Sequence, residues 1–554
     1  MANLLAIGTP FVSVLIITGM VSDPVNVPKL AAAVVLAAGA LALLIRTRFK
    51  QVISSSRWLI PLAALFQLAA INAVINSDSP LTQNIYGVFG RSTGFLCYLA
   101  LTILLLASSV INSTKDFSKI LNGFYFAGIA NVIYCAWVVI FGDFVNWSNP
   151  YKSILGFLGN PNFIGAFLGM FFASLVVILL TPNRERKYRI AALILMAITF
   201  WEILQSRAVQ GLVVSAGGTA IVVFFFIRHH LKWAGYQVIY SILSLVAGAY
   251  ALMGALQKGP LVEYIYKNSV SLRGSYWDAA ISMGLNNPIT GVGMDAYGDS
   301  YRLERSLNAA TEMPGPDIIT NAAHNVVLDF FAYGGWPLML TYLGLLALVL
   351  KAIISFLRRH KEFDPVFITL ATVWVCYQTQ SIISINQVGL AIWGWVFGGL
   401  LIAYEKMDSG RIPDQVLKRK TLQKQSSSIS NGLVMGVGML VGMLIALPPL
   451  NSDIKWRAAL VSQDIVKVEE ALQPSYFNPS SATKYGEAIL TFDRSKLPDL
   501  ASKYARIGVE YNPKAFDLWK LMYFIDGALP EDKARAKIEM VKLDPLNPRW
   551  KDLP

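Results

Sequence analysis

NPNFIGAFLGMFFASLVVILLT, residues 160–181, carries no charged side chain in 22 positions. A helix of that length reaches about 33 Å at about 1.5 Å per residue, enough to cross the roughly 30 Å apolar core of a bilayer. Scanned outward from here with a window of roughly 19 residues, the chain repeats such segments near 3–22, 28–46, 58–76, 94–112, 121–142, 190–206 and 209–228. Further spans follow near 237–256, 325–350, 366–385, 390–405 and 430–449. The sequence therefore predicts an all-α fold, a polytopic membrane helical bundle of about thirteen transmembrane helices.

Composition agrees with that reading. The 554 residues are 55% hydrophobic and 15% charged, with a mean hydropathy of +0.50, where a soluble domain carries roughly 25% charged residues. Cys97, Cys135 and Cys376 all fall inside apolar stretches, which suits packing residues and not a disulfide framework or metal site. Residues 1–22 lack a charged leading region and run straight into further apolar segments, so the first helix reads as a retained anchor.

Lys and Arg are retained in short cytoplasmic loops, so their distribution sets orientation. With the N-terminus inside, the cytoplasmic loops hold 22 of them, in clusters such as Arg184-Glu185-Arg186-Lys187 and Lys418-Arg419-Lys420. The opposite loops hold 9: Lys29, Arg91, Lys152, Arg207, Lys258, Lys267, Arg273, Arg302 and Arg305. The net charge of +13 thus marks the cytoplasmic face of a membrane protein, and no nucleic-acid partner is needed to explain it.

Two segments depart from a plain bundle, both extracytoplasmic in this topology. Residues 257–323 form a connection far longer than the roughly two to eight residues usual between helices, which marks a functional segment. They belong to a transmembrane domain of residues 1–449. Residues 450–554 form a small soluble helical-repeat domain with 16 Lys and Arg against 15 Asp and Glu. Its Asn-Pro pairs at 478–479, 512–513 and 547–548 are spaced 34 and 35 residues apart, close to the roughly 34-residue tetratricopeptide period. So few repeats do not stand alone, so the tail is expected to lean on the membrane domain or on a protein partner.

Outer-face arginines run against the positive-inside rule and each needs a reason. Arg207, in Gln205-Ser206-Arg207-Ala208, sits where one span turns into the next, and a guanidinium at headgroup level grips a phosphate through two hydrogen bonds; a snorkelling interfacial arginine is the plainer reading. Arg273 precedes Trp277 by four residues, which puts both on one helical face, an arrangement suited to phosphate and sugar. His324 is the only one of four histidines outside the cytoplasmic loops; at a helix N-terminus its imidazole tends to stay neutral and able to accept a proton, while a structural, hydrogen-bonding histidine is the commoner reading at an interface. Gly291-Val292-Gly293 reads as turn punctuation. Asp295 and Asp299 lack a third ligand at fitting spacing, so no metal is expected. No Walker sequence supports an ATP-driven transporter.

Gly159-Asn160-Pro161-Asn162 with Gly165 and Leu168, Ser206-Arg207, Arg273 with Trp277, Asn287-Pro288 with Gly291 and Gly293, and Ala323-His324-Asn325 with Leu328, Gly334 and Gly335 occur in that order. The ordered set resembles the O-antigen ligase and polymerase superfamily over roughly residues 60–400. The resemblance implies a metal-independent glycosyltransferase of a bacterial-type plasma membrane, without cofactor, that takes a polyprenyl-diphosphate-linked glycan as donor. Its acceptor is a lipid-anchored core sugar, a growing polysaccharide or a protein hydroxyl. Carried over, Arg207 and Arg273 stabilise the departing diphosphate, His324 orients or deprotonates the acceptor, and Arg91, Asn160 and Trp277 contact substrate. The family often has glycine after the serine-arginine pair, where this chain has Ala208. A transporter or flippase of lipid-linked sugars is the alternative; it calls for midplane ionisable residues and internal helix repeats, and none is obvious.

Overall fold

A computed structural model describes residues 1–48, 56–145, 147, 149–231, 233–265, 268–409 and 428–553. The described residues form helices and no strand. Thirteen of the helices answer to the apolar spans: α1 Ala2–Val14, α2 Asn26–Leu43, α3 Leu59–Ile75, α4 Phe95–Ser108, α5 Thr114–Phe141, α6 Pro161–Leu180, α7 Arg186–Gln205, α8 Val209–His230, α9 Ala234–Ala255, α10 Val326–Arg359, α11 Pro365–Ser381, α12 Val388–Asp408 and α13 Ser428–Ser462. Nine of these are long and apolar enough to cross a membrane among the described residues. The other four are α1, α3, α4 and α11, at 13, 17, 14 and 17 residues.

Local chemistry sets the helix starts. Pro161 opens α6 behind Asn160, whose Oδ1 accepts from Asn162 N at 2.9 Å, and Pro365 opens α11 behind Asp364, which accepts from Val366 N and Phe367 N at 3.0 Å each. Proline suits a first position whose N–H has no helical partner, and the side-chain cap satisfies donors further in. Every residue in the apolar window of α12 is buried, whereas almost none of α9 is; α12 is the bundle's centre and α9 its rim. Gly211 of α8 lets that helix meet α6: a Cβ there would lie 2.9 Å from Gly165 O. Small residues at such crossings bring backbones into van der Waals contact where lipid supplies no hydrophobic drive.

The first span is shorter than the sequence suggests, because α1 stops at Val14. Lys29, counted above among the outer-loop cations, lies within α2 and is fully buried. Its ammonium donates to Val12 O at 3.2 Å and to Ser13 O and Leu15 O at 2.7 Å each, closing the carbonyl end of α1 in place of a continued helix.

Helix α10 is broken within its apolar stretch. Gly334 and Gly335 leave helical geometry, Gly335 at φ +62° and ψ −157°, and Pro337 follows with no N–H to give. The freed carbonyls of Ala332 and Tyr333 accept from Val292 N at 2.9 Å and Gly293 N at 3.0 Å, while Trp336 N donates to Pro288 O at 2.9 Å. Irregular backbone at membrane depth is tolerated only where protein satisfies it in this way. An alanine Cβ at 335 would stand 2.2 Å from Pro288 O. Gly335→Ala is therefore expected to destabilise the protein by at least about 1–3 kcal/mol, read as a lower unfolding midpoint of the detergent-solubilised chain.

The tail begins without a linker, since α13 runs through residue 450 to Ser462. Helices Ile465–Leu472, Ala482–Arg494, Pro498–Tyr511, Phe516–Phe524 and Pro530–Leu543 then enclose a second core around Phe492, Tyr504 and Trp519. Asn478, Asn512 and Asn547 of the Asn-Pro pairs are all buried. The tail leans on the long connection of the membrane domain: Asp544 takes Arg305 Nη2 at 2.7 and 2.9 Å and Arg302 Nη1 at 3.3 Å.

Candidate active site

Three separate segments converge beside the start of α10. Residues 257–323 are largely folded, with helices Val262–Ile265, Asn268–Asn286, Tyr297–Glu304 and Leu307–Thr311. Arg273, Tyr276 and Trp277 stand on the second of these. His324 occupies the turn into α10, and Arg91 the loop between the short helix Leu81–Tyr86 and α4.

His324 adopts φ +58°, a left-handed conformation that costs a β-carbon-bearing residue and persists where neighbours over-determine it. Here Ala323 N donates to Asp329 Oδ1 at 2.7 Å, and Asn325 Oδ1 accepts from Val327 N and Leu328 N at 3.0 and 3.2 Å. The imidazole stacks on Tyr276 with ring centroids 5.6 Å apart and planes 29° from parallel. Tyr276 is itself held, its carbonyl accepting from Tyr297 OH at 2.6 Å and its ring edge-on to Tyr301. Burial, then the charges of Arg273 and Arg91, push the His324 imidazole down to about 3.

Arg273 has no carboxylate partner among the described residues, and its Nε is buried without an acceptor. The indole Nε1 of Trp277 is in the same condition. Buried donors left open are costly and call for an acceptor. The loop bearing Arg91 is clamped by Asp295, whose Oδ2 accepts from Val88 N at 2.8 Å, Thr93 N at 3.4 Å and Thr93 Oγ1 at 3.2 Å, while Oδ1 accepts from Tyr333 OH at 3.3 Å. Asp295 is thus a holder of the arginine loop. Asp299, weighed with it as a metal ligand, accepts from Ser79 Oγ, Gln83 Nε2 and Asn512 Nδ2 at 2.6, 2.9 and 3.2 Å. Among the described residues no group of three or more His, Cys, Asp or Glu is placed to hold a metal.

Arg207 and Asn160 belong to the α6–α8 crossing. Arg207 is exposed and itself takes the left-handed turn conformation, φ +55°, so Ala208 caps α8 in extended geometry and the turn needs no glycine there. Ser206 Oγ lies 3.2 Å from the position of a Cβ on Gly165. Asn160 serves as the cap of α6 and donates to Tyr151 OH at 3.4 Å. Residues 25 and 26 join this crossing to the arginine loop: Val25 packs beneath Gly159, and Asn26 Nδ2 donates to Gly90 O at 3.0 Å. Arg91, Arg273 and His324 are close enough for both charges to bear on the imidazole; Arg207 stands at the neighbouring helix pair.

Tyr276, Asp295 and Asp329 were not singled out from sequence for these roles. Tyr276 was readable, lying one helical turn from Arg273; the two aspartates carry no such local signal, since their partners come from packing.

No curated protein matches the chain. Residues 164–343 match the family model of the O-Antigen ligase, a stretch that contains Arg207, Arg273, Trp277 and His324 and leaves Arg91 and Asn160 outside. Residues 164–343 thus carry an O-Antigen ligase domain, set in a bundle of membrane-length apolar helices.

Proposed function

We propose that the protein transfers a glycan from a polyprenyl diphosphate carrier to an acceptor hydroxyl on the extracytoplasmic face of a bacterial plasma membrane. The observation that carries this reading is the pairing of two guanidiniums, Arg91 and Arg273, with one neutral imidazole, His324, beside unfilled buried donors. Arg273, which has no carboxylate partner among the described residues, suits a diphosphate together with Arg91; an imidazole kept uncharged can accept a hydrogen bond from a hydroxyl.

In the reaction, the acceptor oxygen bonds to the anomeric carbon of the donor sugar as that carbon's bond to the phosphate oxygen breaks. The polyprenyl diphosphate leaves with the bonding electron pair, and its growing charge is met by Arg273 and Arg91, with Arg207 at the headgroup level nearby. The hydroxyl proton passes to the open nitrogen of His324. Arginine charge stabilises the leaving group, so transfer is proposed to be metal-independent and to survive chelator. Acceptor classes to compare are a lipid-anchored core sugar, a growing polysaccharide and a protein hydroxyl.

The test is transfer by purified protein from a polyprenyl-diphosphate oligosaccharide to each acceptor class. Movement of intact donor across a vesicle membrane, without cleavage, would replace this reading with that of a carrier. The imidazole also dictates a pH profile. With the free-enzyme value near 3 instead of the ordinary 6.5, His324 stays neutral on acidification, so kcat/KM should lack a histidine limb between about pH 5 and 8. Stability carries the opposite signature: the unfolded chain binds this proton below about 6.5 and the folded one does not, so stability falls as pH drops toward 3.

A further inference from the structure

Behind the Arg91 loop lies a cleft that the reaction centre does not use. One wall is the segment from Thr82 to Ser92, including Tyr86 and Phe89; the other is the tail, through Trp456, residues 479–484, Glu487 and Tyr511. Its empty space is about 800 Å³ when the open mouth is counted, of which about 100 Å³ has room for water. The two walls meet where Thr82 Oγ1 and Tyr511 OH, both lining it, lie 2.6 Å apart.

The lining has a definite chemistry. Phe89 is half-buried and belongs to neither hydrophobic core, so its ring serves the cleft. Trp456 Nε1 donates to Glu487 Oε2 at 2.6 Å, which fixes the indole edge and leaves the second carboxylate oxygen to accept. Lys484 is buried and committed, donating to Ser452 Oγ, to Asn478 Oδ1 at 3.1 Å and to Pro479 O at 3.3 Å. With Asp453 and Glu487 on the same walls, the cleft's lining among the described residues presents no free cation to an anion. Aromatic rings beside fixed hydroxyl and carboxylate acceptors match a sugar, whose C–H face lies on the negative face of a ring while its hydroxyls donate outward.

We infer that this cleft is a saccharide subsite, holding a stretch of glycan beyond the reacting sugar. The inference rests on the transferase reading for its place in the reaction, since the loop that forms one wall carries Arg91 toward His324. The stretch belongs either to the donor glycan or to an acceptor glycan, and the experiment separates the two.

Full-length protein in lipid nanodiscs is titrated with two probes, the oligosaccharide freed from the donor lipid by mild acid and the delipidated acceptor glycan. The wild type should bind one of them, and Phe89→Ala and Glu487→Gln should each weaken that binding by about tenfold or more, as loss of a ring contact or a charged hydrogen bond does. In transfer assays the same variants should raise KM for whichever substrate carries the bound glycan and leave kcat unchanged. Unfolding midpoints verify that both variants fold; two are used so that one misfolded protein does not decide the matter. Wild-type binding and KM in both folded variants would overturn the subsite, as would a Ser/Thr-rich peptide occupying the cleft where both glycans fail. Glycan binding that the variants weaken, in a protein that transfers nothing, would instead sink the transferase reading and leave the subsite standing.

Discussion

Arg273→Ala should lower kcat/KM for glycan transfer by about 10²–10³, the usual cost of removing one preorganised donor from a developing charge. The physical ground is that this guanidinium is unspent: it has no carboxylate partner among the described residues, its Nε is buried without an acceptor, and burial disfavours its charged form. A group kept in that state costs the free protein and is repaid when an anion arrives. Removing it should therefore leave the unfolding midpoint unchanged or slightly raised while transfer collapses. Arg273→Lys separates charge from shape, because an ammonium keeps the charge and loses the planar fork; an intermediate loss is expected. His324→Ala should fall within about 10²–10⁴ below wild type if the imidazole takes the proton, and combining it with Arg273→Ala should cost less than the product of the two, since both act on one step. Transfer at wild-type rates by Arg273→Ala would remove this arginine from the reaction.

What the sequence disclosed follows the range of the physics involved. Helix α6 was legible because an uninterrupted apolar run decides its own environment, and the shared face of Arg273 and Trp277 because helical spacing is local. The early end of α1 was hidden: its carbonyls are closed by Lys29, and nothing nearby in the chain announces a lysine turned inward. Gly291 and Gly293 were legible as a turn, but their purpose, to satisfy the broken backbone of α10, needed the packing of two distant segments. In the sequence Asp295 lacks the third ligand that a metal would need and shows no other role; only the neighbouring Val88 and Thr93 donors reveal that it holds a loop in place. Arg302 and Arg305 were counted simply as outer-face cations, because their partner Asp544 lies 239 residues along the chain from Arg305.

That partner is where the second large effect is expected. Asp544 and Arg305 are both fully buried in side chain, and Arg302 nearly so; Asp544 also accepts from Asn547 Nδ2 at 3.1 Å and Trp550 Nε1 at 2.9 Å. Breaking a buried pair by deleting one member strands the other charge and costs about 3–5 kcal/mol. Asp544→Ala should accordingly loosen the tail from the long connection, read as rapid proteolysis within residues 465–553 and a lower unfolding midpoint. The double variant Asp544→Ala with Arg305→Leu should recover part of the loss, because it no longer leaves Arg305 charged and buried. Transfer should fall as well. The helix Tyr297–Glu304 that carries Arg302 also carries Tyr297 and Tyr301, which brace Tyr276, and Tyr276 in turn stacks on His324. A tail that only decorates the enzyme would leave kcat at the wild-type value when Asp544 is lost; a tail that braces the imidazole through these rings would lower kcat while leaving donor KM nearly unchanged.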